Sequence, residues 1–171
     1  MKKFYPILTT ILLFLLLCAK MNVVHANIVF PEGEPVFVKE QTITDNNPEV
    51  ADMLYGAYPH IVISEEGASG TTPGERITAA CFNHAFDKLY EENELFYSVK
   101  TLVIDINSPD YPDLDLSQMV SFLNLEYITL HFTYDACGNN SDETCLLPLV
   151  QSLVKPGNHP ITVMYRLYIG G

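Results

Sequence analysis

Basic residues are scarce in this sequence, and their scarcity argues against several classes of partner. The sequence contains nine lysines and arginines and 21 aspartates and glutamates. Three of the basic residues lie in residues 1–26, and all of the acidic residues follow that segment. Residues 27–171 therefore carry six basic and 21 acidic side chains, a formal charge of −15. Nucleic-acid binding requires clustered lysine and arginine, whereas these six are scattered singly. We expect neither nucleic acid nor an anionic membrane as partner, and an acidic surface favours encounter with a cationic protein.

The first apolar run of the sequence is too short to cross a membrane. It extends from Tyr5 to Cys18, which is 14 residues, whereas a spanning helix needs about 20. Two lysines precede the run and a short polar stretch leads to Ala26, the order found in secretory signals, with a retained anchor as the alternative. We predict a signal peptide at 1–26 and a single α/β domain at 27–171, periplasmic or extracellular and without stable membrane insertion after cleavage.

Cysteine is rare as well, and three of the four cysteines follow the predicted signal. Cys137 and Cys145 bracket a polar, turn-rich segment that contains no apolar residue to fold it. In an oxidising compartment a disulfide between them would close this loop, and we predict that bond together with a buried thiol at Cys81. No CxxC or HxxxH spacing occurs, so we predict no zinc site and no other cofactor.

Recognisable catalytic motifs are missing too. The sequence has no GxSxG, no HExxH and no serine-protease signature. Ser64, which precedes two glutamates, is the best candidate nucleophile, and the segment Gly67–Gly70 lacks the lysine and the spacing of a phosphate loop. A small envelope hydrolase is therefore an alternative function and not the leading one. The histidines that could act as a general base are His60, His84, His131 and His159.

An acidic loop at residues 105–115 contains the oxygen ligands that calcium prefers. An EF-hand would also need glycine at its sixth position and glutamate at its twelfth, where this chain has Asp110 and Leu116. Turn formation and a helix cap, Asp115 followed three residues later by Gln118, account for the same residues. A calcium- or ligand-binding accessory protein is thus a second alternative.

The amino-terminal half predicts a mixture of short helices and strands. Asn47 caps a helix that Gly56 ends, and the β-branched segment His60–Ser64 predicts a strand followed by a glycine-rich loop to Gly74. A longer helix is expected from Thr72, where a capping box begins, through Leu89, with Cys81 on its buried face. A hairpin is expected near the start, formed by Ile28–Phe30 and Pro35–Lys39.

The carboxyl-terminal half alternates strand-like and helix-like segments, which predicts a βαβαβ unit in a mostly parallel sheet. The expected strands are Val99–Ile106, Leu125–Phe132 and Ile161–Ile169, and the expected helices are Leu116–Leu123 and Glu143–Val154.

Part of this half resembles leucine-rich repeats, whose template is L-x-x-L-x-L-x-x-N. Val99-x-x-Leu102-x-Ile104-x-x-Asn107 fits the template, and Leu125-x-x-Ile128-x-Leu130 begins 26 residues later. The resemblance covers residues 99–132 only, and Thr133 stands where the second repeat would carry asparagine. It implies a curved sheet that binds proteins on its exposed strand face.

Period-two alternation on these two strands predicts one buried face and one exposed face. The apolar side chains of Leu102, Ile104, Ile128 and Leu130 would share the buried face. The opposite face would form a protein-binding patch, unless helices cover both faces and make it core. Its residues are Thr101, Val103, Asp105, Tyr127, Thr129 and His131.

Composition and motifs together favour a binding protein over an enzyme. Residues 27–171 contain nine tyrosines and no tryptophan, and tyrosine is enriched at protein interfaces. We therefore expect an exported acidic protein-binding domain, of the inhibitor or immunity type, that neutralises a toxin or secreted hydrolase.

Overall fold

A seven-stranded, mostly parallel sheet organises the part of the chain described by the computed structural model, which is residues 33–56, 60–70, 78–81, 83–138 and 143–168. The strands are β1 (Val36–Lys39), β2 (His60–Ser64), β3 (Gly67–Gly70), β4 (Thr78–Cys81), β5 (Thr101–Ile106), β6 (Leu114–Asp115), β7 (Tyr127–Phe132), β8 (Val154–Lys155) and β9 (Thr162–Leu167). The helices are α1 (Glu40–Asn46), α2 (Pro48–Tyr55) and α3 (Leu146–Leu153), with 3₁₀ segments at Asn83–Tyr90, Glu94–Phe96, Leu116–Gln118 and Glu143–Cys145.

The strand order of the sheet is β1-β9-β7-β5-β4-β2-β3, and β6 pairs with β8 in a separate two-stranded ladder. All neighbours in the large sheet are parallel except β3, which returns antiparallel to β2. The predicted α/β class with a mostly parallel sheet is therefore confirmed. From β2 the chain first adds β3 at the outer edge and then advances through β4, β5 and β7 to β9 in one direction, whereas the connection from β1 to β2 crosses the sheet in the opposite direction.

The directions in which the chain connects successive strands decide which helices cover each face of the sheet. Parallel connections prefer a right-handed crossover, so connections that run in opposite directions lie on opposite faces. One face carries the main core, where Leu102, Ile104, Ile128 and Leu130 are fully buried as predicted and α3 packs among them. The other face lies under α1 and α2, where a smaller cluster forms around Val50, Met53 and Met164.

Several elements confirm the sequence-based expectations. Helix α2 begins at Pro48, with the side chain of Asn47 accepting a hydrogen bond from the Val50 amide, and it ends at Tyr55 with Gly56 as its carboxyl-terminal cap. Glu143–Cys145 and α3 occupy the predicted second helix. Cys137 and Cys145 form the predicted disulfide, with their Cα atoms 5.8 Å apart. Cys81 is a buried thiol whose pKa is raised to about 12, mainly by burial.

Other elements differ from the prediction, and in residues 78–81 pairing in the sheet outweighs the local helix signal. Residues 78–81 were expected in a helix but form β4, fully enclosed between β2 and β5. The expected helix Leu116–Leu123 is only the 3₁₀ turn Leu116–Gln118, because Met119 leaves the helical region of backbone space. Gly67–Gly70 is not a loop but an edge strand, entered through a tight turn in which Gly67 adopts a φ of 117° that favours glycine.

The predicted signal peptide, the strand Ile28–Phe30 and the capping box at Thr72–Glu75 lie outside the described residues. Within the described ranges, no helix is both long enough and apolar enough to cross a membrane.

Candidate functional site

A row of charged side chains crosses four strands at the carboxyl edge of the sheet. Asp105 on β5, His131 on β7 and Arg166 on β9 are direct neighbours in the strand register. Glu40 follows Lys39, the last residue of β1, whose partner Tyr165 immediately precedes Arg166. In-register pairing of parallel strands thus brings together four residues that lie up to 126 positions apart in the sequence.

Glu40 lies at the centre of this cluster and is fully buried. One carboxylate oxygen, Oε1, accepts hydrogen bonds from the Tyr55 hydroxyl and from Arg166 Nη1, the latter at 3.0 Å. The other oxygen, Oε2, lies 2.7 Å from His131 Nε2. Burial alone would raise the pKa of Glu40, but the hydrogen bonds from His131, Tyr55 and Arg166 outweigh it and lower the pKa to about 2.

His131 lies between two carboxylates. Its Nε2 contacts Glu40, and its Nδ1 lies 3.4 Å from Asp105 Oδ1. Burial opposes the charged form of the ring, but the hydrogen bonds and charges of Asp105 and Glu40 prevail and raise its pKa to about 9. The imidazole is therefore protonated near neutral pH, with a carboxylate at each ring nitrogen, and it has no lone pair with which to act as a general base.

Around this buried centre the cluster presents an exposed rim of aromatic and charged groups. The Arg166 guanidinium lies 4.6 Å above the centre of the Tyr168 ring and 3.0 Å from the Tyr55 hydroxyl. The rings of His131 and Tyr168 are 4.9 Å apart. Tyr55 is 54 % exposed and Tyr168 40 %, and the side chains of Arg166 and Asp105 are similarly accessible. These rim side chains are therefore both accessible and held in place.

The cluster stands where α/β sheets characteristically bind ligands. Helix α1 leaves β1 on one face of the sheet, whereas the chain that follows β7 leads to α3 on the other face. In open α/β sheets, ligands characteristically bind beyond the carboxyl ends of the strands where the connections diverge in this way. Glu40, His131 and Arg166 occupy this position.

The structure brings together only part of the predicted patch. Asp105 and His131 reach the cluster, but Thr101 and Thr129 are fully buried, so their predicted exposure is wrong. Val103 and Tyr127 are partly covered, and Tyr127 packs against the Val50–Met53–Met164 cluster. The reason is that α1 and α2, which precede the repeat-like region, cover this strand face, as the sequence-based alternative of two covered faces anticipated.

Sequence reasoning missed Glu40, Tyr55, Arg166 and Tyr168. Arg166 has a detectable signal, because alternation along the third predicted strand places Thr162, Met164 and Arg166 on the same side as His131. Nothing local marks Glu40, whose role depends on partners brought from β7, β9 and α2.

The other sequence candidates do not join the cluster. The Ser64 hydroxyl donates to the Gly67 carbonyl within the β2–β3 turn, and His60 and His159 are exposed at other positions. Asp115 performs the predicted capping role, accepting from the Ser117 amide and from the Gln118 side chain. Among the described histidines, cysteines and acidic residues, no group of three or more is arranged to hold a metal ion.

The buried Thr129 hydroxyl has no hydrogen-bond partner among the described residues, which leads to a stability prediction. Thr129→Val removes an unsatisfied polar group from an enclosed site while preserving shape, and we expect the free energy of unfolding to rise by about 1 kcal/mol. Thr78→Val is the matched control, because the buried Thr78 hydroxyl donates to the Met53 carbonyl, and we expect a loss of about 1 kcal/mol. Urea denaturation measures both, and equal effects of the two substitutions would contradict the prediction.

Comparison of the chain with protein-family models, with curated proteins and with solved structures finds no match. The function must therefore be argued from the chemistry of the site itself.

Proposed function

We propose that this protein is an exported protein-binding domain whose recognition surface is the rim formed by Tyr55, Asp105, Arg166 and Tyr168. The observation that carries the proposal is the position of Arg166, held by Glu40 below it and stacked on Tyr168 beside it. Tyrosine and arginine are the residue types that dominate protein interfaces energetically. Side chains that are already ordered lose little conformational entropy on binding, so this rim suits recognition.

The charges of the cluster favour binding over hydrolysis. Glu40 and Asp105 are compensated by His131 and Arg166, so the four groups are directed toward one another. A general base must be able to accept a proton near neutral pH, and the raised pKa of His131 opposes this. The cluster therefore supports an organised surface better than an acid–base centre.

The chemistry of the rim and the charge of the whole chain indicate the kind of partner. Residues 27–171 carry a formal charge of −15, which accelerates encounter with a cationic protein, while the rim supplies shape and directed hydrogen bonds. An inhibitor or immunity-type protein, which must capture a toxin or secreted hydrolase quickly and hold it, combines these two properties. We propose this role for the exported domain.

A photo-crosslinking amino acid at position 168 tests the proposal in an extract of envelope and secreted proteins from the producing cell. We expect one dominant cross-linked protein, which is absent when the same group is placed at position 155, an exposed cation elsewhere on the surface. The purified partner should bind Tyr168→Ala about tenfold more weakly than wild type, because the ring that supports Arg166 is lost.

Two variants make the affinity measurement specific. Tyr168→Phe retains the ring and should bind within about threefold of wild type. Lys155→Ala removes an exposed ion pair with Asp113 and should leave affinity unchanged. Absence of a position-dependent cross-link, or wild-type affinity for Tyr168→Ala, would refute this recognition surface.

A further inference from the structure

We infer that the protein has a second docking surface, at the amino-terminal ends of the strands. This surface binds an apolar segment that is flanked by lysine or arginine on another protein. The surface consists of Tyr97, Val120 and Leu123, together with the glutamates of the adjoining segment 91–94. This surface is separate from the proposed recognition surface. Its residues precede β5 and β7, whereas the recognition surface lies at the carboxyl ends of the strands.

Three large apolar side chains are exposed together at this edge. Val120 is 61 % exposed, Leu123 63 % and Tyr97 37 %, and they are three of the five large apolar side chains exposed in the described part of the chain. Tyr97 stands four residues before β5 and Leu123 four residues before the neighbouring strand β7, so the two segments enter the sheet at the same end. The Asn124 side chain donates to the Tyr97 carbonyl and joins the two segments directly.

This apolar surface rests on a rigid support. Phe96 and Phe122, each one residue before an exposed member, are fully buried and stacked, with ring centres 4.5 Å apart. The Ser121 hydroxyl accepts from the Asn93 amide and so links the same two segments a second time. The amides of Tyr97, Val120 and Leu123 each donate to a backbone carbonyl within their own turn. Apolar side chains held outward in this way would lose little entropy on binding.

The charges around the surface determine which occupant it suits. Glu91 and Glu126 border it, and each already pairs with a lysine of this chain, Lys88 and Lys100 respectively. Glu92 and Glu94 are exposed in the same segment as Tyr97 and add further negative charge. An apolar centre with an acidic border is complementary to an apolar segment with basic flanks. It would repel a second copy of this acidic chain.

A short helical peptide made only of leucine and lysine, with its leucines on one face, serves as the probe. Titration calorimetry should show salt-dependent binding to the whole protein, and a peptide with serine in place of leucine should bind at least about tenfold more weakly. The double variant Val120→Ser with Leu123→Ser should bind the leucine–lysine peptide about tenfold more weakly than wild type. Its melting temperature should stay close to wild type, because exposed substitutions change stability little.

A matched pair of acidic variants separates this surface from general attraction to a negative protein. The double variant Glu92→Gln with Glu94→Gln should bind the leucine–lysine peptide several-fold more weakly than wild type. The double variant Glu65→Gln with Glu66→Gln, whose glutamates are exposed in the β2–β3 turn, should change the affinity less than about twofold. The inference would be overturned if the two acidic double variants had equal effects on the affinity. It would also be overturned if the serine peptide bound as tightly as the leucine peptide, or if the double serine variant bound the leucine–lysine peptide as tightly as wild type. A dimer in sedimentation analysis that the double serine variant abolishes would assign the surface to a second copy and overturn it too. Tyr168→Ala should leave peptide binding intact, which separates this result from the proposed recognition surface.

Discussion

Replacing Glu40 with alanine is expected to lower the free energy of unfolding by about 3–5 kcal/mol. The substitution removes the carboxylate that joins His131, Arg166 and Tyr55 in a fully buried position, and it leaves the enclosed His131 cation with a single, more distant carboxylate. Removing one partner of a buried charge pair costs more than the pair contributes, because the remaining charge stays desolvated. Chemical denaturation monitored by far-UV circular dichroism measures this change.

Asp45→Ala provides the matched control for that measurement. Asp45 is an exposed carboxylate on the same helix, α1, and its removal should change stability by no more than about 0.5 kcal/mol. Glu40→Gln should fall between the two, since an amide retains a hydrogen-bonding oxygen but not the charge. If Glu40→Ala proves as mild as Asp45→Ala, the cluster does not hold α1 and α2 on the sheet.

The same cluster is expected to make stability depend on pH in two separate windows. The pKa of His131 is raised from 6.5 to about 9, so its contribution is complete below about pH 6.5 and is lost as pH rises through 9. The pKa of Glu40 is lowered from 4.5 to about 2, so its contribution is complete above about pH 4.5 and is lost as pH falls through 2. Stability should be greatest between these windows, and the alkaline loss should reach about 3 kcal/mol.

The difference between the denaturation curves of wild type and His131→Gln from pH 6 to about pH 10 isolates the histidine contribution, because the raised pKa of Cys81 also lowers stability above about pH 9 in both proteins. His131→Gln removes the titrating group, so its unfolding free energy should change less over this range than that of wild type, although it starts lower. His159→Gln removes an exposed histidine and should retain the wild-type pH profile. Parallel profiles for wild type and His131→Gln would show that His131 does not carry this dependence.

The predicted recognition patch shows how far alternation along a strand can specify a site. Alternation correctly placed Asp105 and His131 on one side of neighbouring strands, because in-register pairing keeps equivalent positions adjacent. It could not show that Thr101 and Thr129 on that side are enclosed, because α1 and α2, which cover them, come from a different part of the chain. Periodicity describes which side a residue faces, not what lies over that side.

What the sequence alone determined are the features whose causes are local. The β-branched alternation of β5, β7 and β9, the Asn47 cap before Pro48 and the polar loop closed by Cys137 and Cys145 each depend on residues a few positions apart. What only the tertiary structure decided are the features that depend on distant partners. Residues 78–81 become a strand because β2 and β5 enclose them, and Glu40 becomes an ion-pair centre because β1 joins the sheet beside β9, the last strand among the described residues. The free energy of such contacts comes from groups that meet only when the sheet assembles, so no short stretch of sequence contains it.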